Sequence, residues 1–195
     1  MPEAQTLVLD IGGIFFYPAW RTEGVAATAT IIGVSEQDLM QALKKDKRLF
    51  YTGVISEVEY WNGVLRALTT KEIISSDKMA RTYRSYVRPI PETLNLLPQL
   101  SARYSLCACN NSPKEWMDYR ISIAGLDRYF KKFFTSGYVG AMKPDSAMYS
   151  LVFSPKSEIV AYIDDDEAYA LAAQTGYGVR AQVYSSVNDL LQWIR

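Results

Sequence analysis

One octapeptide near the amino terminus, Leu7-Val8-Leu9-Asp10-Ile11-Gly12-Gly13-Ile14, sets the tightest limit on what this chain can become. Its apolar run is too short for a helix and reads as a buried strand of a parallel sheet. The glycines that follow permit a sharp turn and a close approach of backbone to a ligand. Asp10 therefore stands at the carboxyl edge of the predicted strand, the edge at which open α/β sheets bind ligands. A carboxylate placed there serves either chemistry or the capping of the next segment, and the octapeptide alone does not separate the two.

The chain has 195 residues, enough for one domain with an insertion and a sizeable core. Its 21 basic and 21 acidic residues balance, so there is no basic field to attract nucleic acid or an anionic membrane. Apolar runs are strand-sized and the amino terminus lacks a signal-peptide pattern, which predicts a cytoplasmic protein. Cys107 and Cys109 lie two apart on one predicted strand, a spacing that does not easily close a disulfide. The chain contains no histidine, which excludes Ser-His-Asp and Cys-His catalysis.

After Pro18 the pattern turns helical. Helices are expected from Gly24 to Ile32 with Gly33 as the stop, from Ser35 through Leu43, from the Ser56/Glu59 capping box through Leu68, and from Ser76 to Val87. Pro18 and the pair Pro89 and Pro91 bracket this stretch, so residues 17–88 read as an all-helical insertion into a core made of 1–16 and 89–195. Beyond it strands and helices alternate. A helix from Pro91 through Leu100 carries Pro98 as a disruption, and a strand runs from Tyr104 to Cys109. Ser112-Pro113 is a cap and first-turn pair. Phe133 to Thr135 is a short strand, and a helix from Asp145 to Phe153 is interrupted by Ser154-Pro155. Ile159 to Ile163 is a strand, Ala168 to Gln174 a helix ending at Gly176, Val179 to Tyr184 a last strand and Val187 to Ile194 a last helix. The fold class predicted is α/β, a three-layer Rossmann-like parallel sheet with an inserted helical cap.

In such a sheet all carboxyl ends share one edge, so Asp10, Cys109 with Asn110, and Asp164 with Asp165 converge, and Lys143 can reach the same place. Carboxylates crowded into one cleft repel each other, and a divalent cation resolves this. Oxygen ligands without histidine or a thiolate cage point to Mg2+. A lysine beside such a site suits a phosphate or a phosphorylated intermediate. The bland alternative for Asp164 to Asp166 is a solvated acidic turn.

These motifs together resemble the haloacid dehalogenase-like (HAD) hydrolase superfamily over nearly the whole chain. The resemblance rests on Asp10-Ile11-Gly12-Gly13-Ile14, Ala108-Cys109-Asn110, Gly140-Ala141-Met142-Lys143-Pro144 and Tyr162-Ile163-Asp164-Asp165. It is strongest to the sugar-phosphate phosphatase and epoxide-hydrolase amino-terminal branch. The resemblance implies Asp10 as nucleophile, phosphate contact from Cys109 and Asn110, and charge neutralisation by Lys143. It also implies Mg2+ held by Asp10, the Gly12 carbonyl and Asp165, with Asp164 assisting, and a small phosphorylated metabolite as substrate. Aromatic and basic residues of the insertion, Trp20, Arg21, Tyr51, Tyr60 and Trp61, are candidates for lining the pocket.

Two positions depart from the family pattern. Gly12 stands where most phosphatases of the superfamily carry a second Asp, the general acid and base, although some members of the branch also have Gly. Cys109 stands where Ser or Thr is usual. Gly12 and Cys109 therefore keep a second reading open, a catalytically weak or silent binding protein. A third, a 2-haloacid dehalogenase, ranks below both, because the residues from Thr22 to Lys47 contain no arginine to receive halide and the fourth motif carries paired aspartates.

Overall fold

The computed structural model describes residues 5–70, 73–153 and 159–194. Five strands, β1 (Thr6–Leu9), β2 (Ser105–Asn110), β3 (Phe130–Thr135), β4 (Ile159–Asp164) and β5 (Ala181–Val183), form one sheet in the order β3-β2-β1-β4-β5. Every neighbouring pair is parallel. The α/β class read from the sequence is the observed one, with β1 at its centre.

Helices cover both faces. Between β1 and β2 come a π-helical turn (Trp20–Gly24), α1 (Val25–Ile32), α2 (Glu36–Lys45), α3 (Lys47–Tyr51), α4 (Glu57–Arg66), α5 (Ser76–Ser85), α6 (Pro91–Leu94) and α7 (Leu97–Arg103). After β2 come α8 (Lys114–Ala124), a 3-10 turn (Leu126–Arg128), α9 (Ser136–Val139), α10 (Ser146–Val152), α11 (Glu167–Tyr177) and α12 (Asn188–Leu191). The period-two alternation of strands sorts the core into two layers. Leu7 and Leu9 of β1, with Leu106, Ala108, Ala161 and Ile163, pack on α7, α8 and α12 through Leu97, Leu100, Met117 and Leu190. Val8, Cys109 and Tyr162 point the other way, onto Met148, Tyr149 and Val152 of α10 and Ala173 of α11. No helix among the described residues is long and apolar enough to cross a membrane.

A third apolar cluster belongs to the helical stretch. Val25, Ile32, Leu39, Phe50, Trp61 and Tyr83 meet there with Trp116, which α8 contributes from the far side of β2. Trp116 stacks on Tyr83 with ring centroids 3.6 Å apart, and its indole Nε1 donates to Glu57 Oε1 at 2.9 Å. The other Glu57 oxygen accepts from Arg84 at 2.6 Å, so this buried carboxylate is charge-paired as well as hydrogen-bonded. The two connections to the sheet run side by side. Tyr17 N donates to Arg88 O at 2.9 Å, and Ile90 N donates to Phe15 O at 2.8 Å.

Several local expectations change in detail. Pro98 starts a helix rather than disrupting one: it occupies the first turn of α7, where its missing N–H costs nothing. The helix expected to end at Gly176 continues to Tyr177, because Gly178, at φ +59°, supplies the left-handed stop. Ser112 does not cap α8; its hydroxyl donates to Pro113 O instead. The strand expected from Val179 to Tyr184 is confined to Ala181–Val183, and the last helix to Asn188–Leu191. Strand β3 begins three residues earlier than expected, at Phe130. The π-helical turn and α3 are too short to leave a periodic signal. Ser35 and the Ser56/Glu59 box cap α2 and α4 as predicted. Ser154-Pro155 lies outside the described residues.

Replacing Trp116 by Ala removes the ring shared by the helical cluster and the sheet layers and leaves Glu57 short of a donor. Urea denaturation is expected to show a loss of about 3–5 kcal/mol; a change below about 1 kcal/mol would mean the indole is not holding the two together.

Candidate active site

The carboxyl edge of the sheet gathers the predicted residues. Asp10 follows β1 directly, its N–H bonded to Ile163 O at 2.9 Å, so its carboxylate emerges beside that of Asp164 at the end of β4. Lys143 lies on the loop ahead of α10 and reaches between them. Its Nζ is 2.9 Å from Asp10 Oδ1 and 2.5 Å from Asp164 Oδ2, and all three residues are buried.

What holds the lysine there is a residue the sequence reading passed over. The side-chain amide of Asn111 accepts from Lys143 N at 2.7 Å and donates to Lys143 O at 2.9 Å, clamping the backbone of the loop. Asn110, expected at the phosphate, lines the cleft while its side chain bonds within the protein: Oδ1 accepts from Thr135 Oγ1 at 2.8 Å and Nδ2 faces Met117 Sδ. Cys109 neighbours Lys143 electrostatically but is fully buried in the α10/α11 layer and does not line the cleft. Burial pushes its thiol up to about 12, opposed by Lys143, so it remains protonated. Asn110, Asn111 and Ser112 line the cleft where Cys109 was expected to.

The run Asp164-Asp165-Asp166 divides into three tasks rather than forming a solvated turn. Asp164 is saturated by protein donors: Oδ1 accepts from Asp166 N at 2.9 Å, and Oδ2 accepts from both Lys143 and the Tyr162 hydroxyl. Asp166 caps α11 by accepting from the N–H groups of Ala168 and Tyr169. Asp165 is exposed and stands over the Gly12-Gly13 turn. Gly13 has φ +72°, and a Cβ there would lie 1.9 Å from Asp165 Oδ2, so only glycine leaves room for this carboxylate.

Oxygens of Asp10, Asp164 and Asp165 lie within 4.8 Å of one another. Asp10 Oδ2 and the Asp165 carboxylate accept no hydrogen bond from another residue among the described ones, which makes these two the carboxylates with oxygens to give a divalent cation. Electrostatics agree with that division. Burial pushes the Asp10 carboxyl up to about 7; Lys143 opposes the rise and Asp164 and Asp165 add to it. Asp165, although open to solvent, is likewise raised by partial desolvation in the cleft and by Asp164, with Lys143 and Arg21 opposing. Burial works against the Lys143 ammonium, yet Asp10 and Asp164 outweigh it and hold the lysine charged. The one cation present therefore does not relieve the crowding of acids by itself.

Above these groups opens a cleft of about 450 Å³. Of the pocket residues named from sequence, Trp20, Arg21 and Tyr51 line it. Tyr60 and Trp61 do not: both are buried in the helical cluster. Lys47, Tyr83, Arg120 and Tyr169 line it without having been anticipated. Trp116 and Arg120, spaced i and i+4 on α8, would have been the signal for the third of these, since that spacing puts both on one helix face.

Comparison with known proteins gives the class first. The fold is that of HAD family enzymes, recovered from solved structures over essentially the whole chain. In particular, the HAD family enzyme BT-2542 of Bacteroides thetaiotaomicron superposes with a TM-score of 0.81 at 18% identity, covering 99% of each chain. A HAD-like hydrolase of Porphyromonas gingivalis gives 0.76 at 18% identity over 98% of each chain. The L-2-haloacid dehalogenase RSc1362 gives 0.66 at 18% identity, over 98% of this chain and 99% of its own. BT-2542 has also been crystallised with magnesium and inorganic phosphate. No protein-family model and no curated protein sequence matches the chain.

Binding of a divalent cation is expected to raise the melting temperature, as any ligand of the native state does. Asp165→Asn, at an exposed position, should leave the cation-free melting temperature in place and shrink the rise produced by Mg2+. Scanning fluorimetry with and without 5–10 mM (about 10 mM) Mg2+ reads both; an undiminished rise in the variant would place the cation elsewhere.

Proposed function

We propose that the chain is a Mg2+-dependent hydrolase of small phosphomonoesters that works through an aspartyl-phosphate on Asp10, with residues 17–88 as the cap over the site. The observation that carries this reading is the buried Asp10 carboxylate, oriented by Lys143 at 2.9 Å and left with one oxygen facing a cleft. The magnesium and phosphate bound by BT-2542, whose fold is the same, support it.

In this mechanism an oxygen of the Asp10 carboxylate attacks phosphorus in line, a bond forms from that oxygen to phosphorus, and the ester oxygen departs with its electron pair and takes a proton from solvent. Lys143 is the fixed positive charge beside the attacking carboxylate, and its second partner Asp164 keeps it aimed. Bound Mg2+, on Asp10, Asp165 and the Gly12 carbonyl, would supply further neutralisation of charge on the transferring group. Water then attacks phosphorus and gives up a proton to solvent, the bond from phosphorus to the Asp10 oxygen breaks, inorganic phosphate leaves and the free carboxylate is restored. Asn111 is a positioning residue, since it holds the backbone from which Lys143 reaches.

Gly12 sets the character of the activity. A Cβ at this position would lie 3.7 Å from Asp10 Oδ2, so a side chain there would face the nucleophile, and none exists to protonate the departing oxygen. General acid catalysis contributes about a hundred- to ten-thousand-fold. Substrates with good leaving groups should therefore dominate. The same glycine favours the second reading, a silent binding protein. A dehalogenase ranks third. Arg21, one residue before Thr22, does line the cleft, but the free oxygens of Asp10 and Asp165 still call for a cation that such a reaction does not need.

Phosphate release from acetyl phosphate, p-nitrophenyl phosphate, sugar phosphates and nucleotides is the test. Release should require Mg2+, fall with chelation, fall below detection in Asp10→Asn, and be fastest for the first two compounds. Gly12→Asp, which has room for its side chain, should raise turnover of sugar phosphates by about tenfold or more. Silence of folded, Mg2+-binding wild type across the panel would establish the binding reading instead, and chelator-resistant halide release the third.

A further inference from the structure

The wall of the cleft is electrically divided. Its acids come from the ends of β1 and β4 and the start of α11, whereas Arg21, Lys47 and Arg120 occupy other parts. Some basic residues outside the cleft are charge-paired: Arg48 with Asp145, Arg84 with Glu57 and Arg88 with Glu23. Arg21, Lys47 and Arg120 form no salt bridge among the described residues, although the charge of Arg21 also acts on Asp165.

Their contacts are neutral and converge on two tyrosines. Arg21 acts on the Tyr51 hydroxyl through its charge, and Lys47 lies over the Tyr51 ring, 5.1 Å from its centroid. Arg120 donates through Nη2 to the Tyr83 hydroxyl at 3.1 Å and through Nη1 to Ser112 Oγ at 3.3 Å, and it lies over the Phe16 ring. Its remaining donor, Nε, is buried without any partner. Arg120 is thus a guanidinium in the cleft wall that meets only neutral acceptors. Like-charge crowding points the same way: burial first, then Arg21 and Lys44, push the Lys47 ammonium down. An anion in the cleft would relieve all of these at once.

We propose that the ligand carries, besides the phosphoryl group directed at Asp10, a second anionic group, held by Arg21 and Arg120 with Lys47 at the outer edge. The proposal rests on the phosphoryl-transfer reading and narrows its substrate class to compact dianionic metabolites, with a carboxylate or a further phosphate as the second group. Arginine suits either, because its planar fork matches both. Tyr51, which touches Arg21 and lines the cleft, forms the intervening surface.

Binding of non-hydrolysable phosphonates to the Mg2+-loaded protein, followed by calorimetry, separates this proposal from the activity on which it rests. Ethylphosphonate carries one anionic group, phosphonoacetate adds a carboxylate, and propane-1,3-bisphosphonate adds a second phosphonate. One of the latter two should bind about tenfold or more tightly than ethylphosphonate, and which of them does so identifies the second group. Arg21→Gln, at an exposed position where folding is not at risk, and Arg120→Gln should each bring the ratio of affinities toward one. Equal binding of all three ligands, or a preference that survives in both variants, overturns the proposal while leaving the phosphoryl site standing. Absence of binding by every phosphonate overturns both.

Discussion

A lysine ammonium out of contact with water is the constraint on which the rest of the site depends. Burying a charge is tolerable only where opposite charges and hydrogen bonds meet it, and Lys143 finds both in Asp10 and Asp164. Those two carboxylates sit on neighbouring strands and the lysine on a loop, so one ion triad fixes the ends of β1 and β4 and the loop before α10 relative to one another. At the strand ends one lysine faces three acids, an excess of negative charge that a divalent cation would offset. The Asn111 clamp matters for the same reason: a flexible side chain aims well only from a fixed backbone.

The features that were legible in the sequence are those written locally. Leu7 to Leu9 and Ile159 to Ile163 are apolar runs that end in carboxylates, so the sheet, its parallel sense and its acidic edge could all be read from them. Ser35 and Ser56 announce helices because a cap is a three-residue signal. The parts missed depend on tertiary placement. Asn111 and Asn110 are adjacent amides, and only the fold decides that one grips the lysine loop while the other bonds Thr135. Cys109 shares a sheet face with Asp10, but its depth beneath Lys143 has no sequence signature. Gly176 and Gly178 both look like helix stops, and the choice turns on which adopts positive φ. Trp61 and Tyr51 are aromatics on neighbouring helices, one buried in the helical cluster and the other facing the cleft.

The helical stretch and the sheet are coupled through Glu57 and Trp116. Glu57 sits at the first turn of α4, where a carboxylate suits the helix dipole, and it gathers donors from Arg84, Trp61 and Trp116. Because Trp116 belongs to α8, whose other face covers the sheet through Met117, each layer of the molecule contributes to the burial of the next. Trp116 and Arg120 also line the cleft, so the residues that join the two parts help to shape the site between them.

The paired connections at Phe15 to Tyr17 and Arg88 to Ile90 carry a consequence for how such a molecule can diversify. Chain ends fixed side by side close whatever lies between them at nearly the same entropic cost, because that cost grows only with the logarithm of loop length. Exchange of residues 18–87, which lie between these connections, would therefore cost little closure entropy while the strand that carries Asp10 keeps its place. A substitute would have to meet the sheet and its helices where this stretch does now: at the indole of Trp116, at Arg120 through Tyr83 and at Asp145 through Arg48.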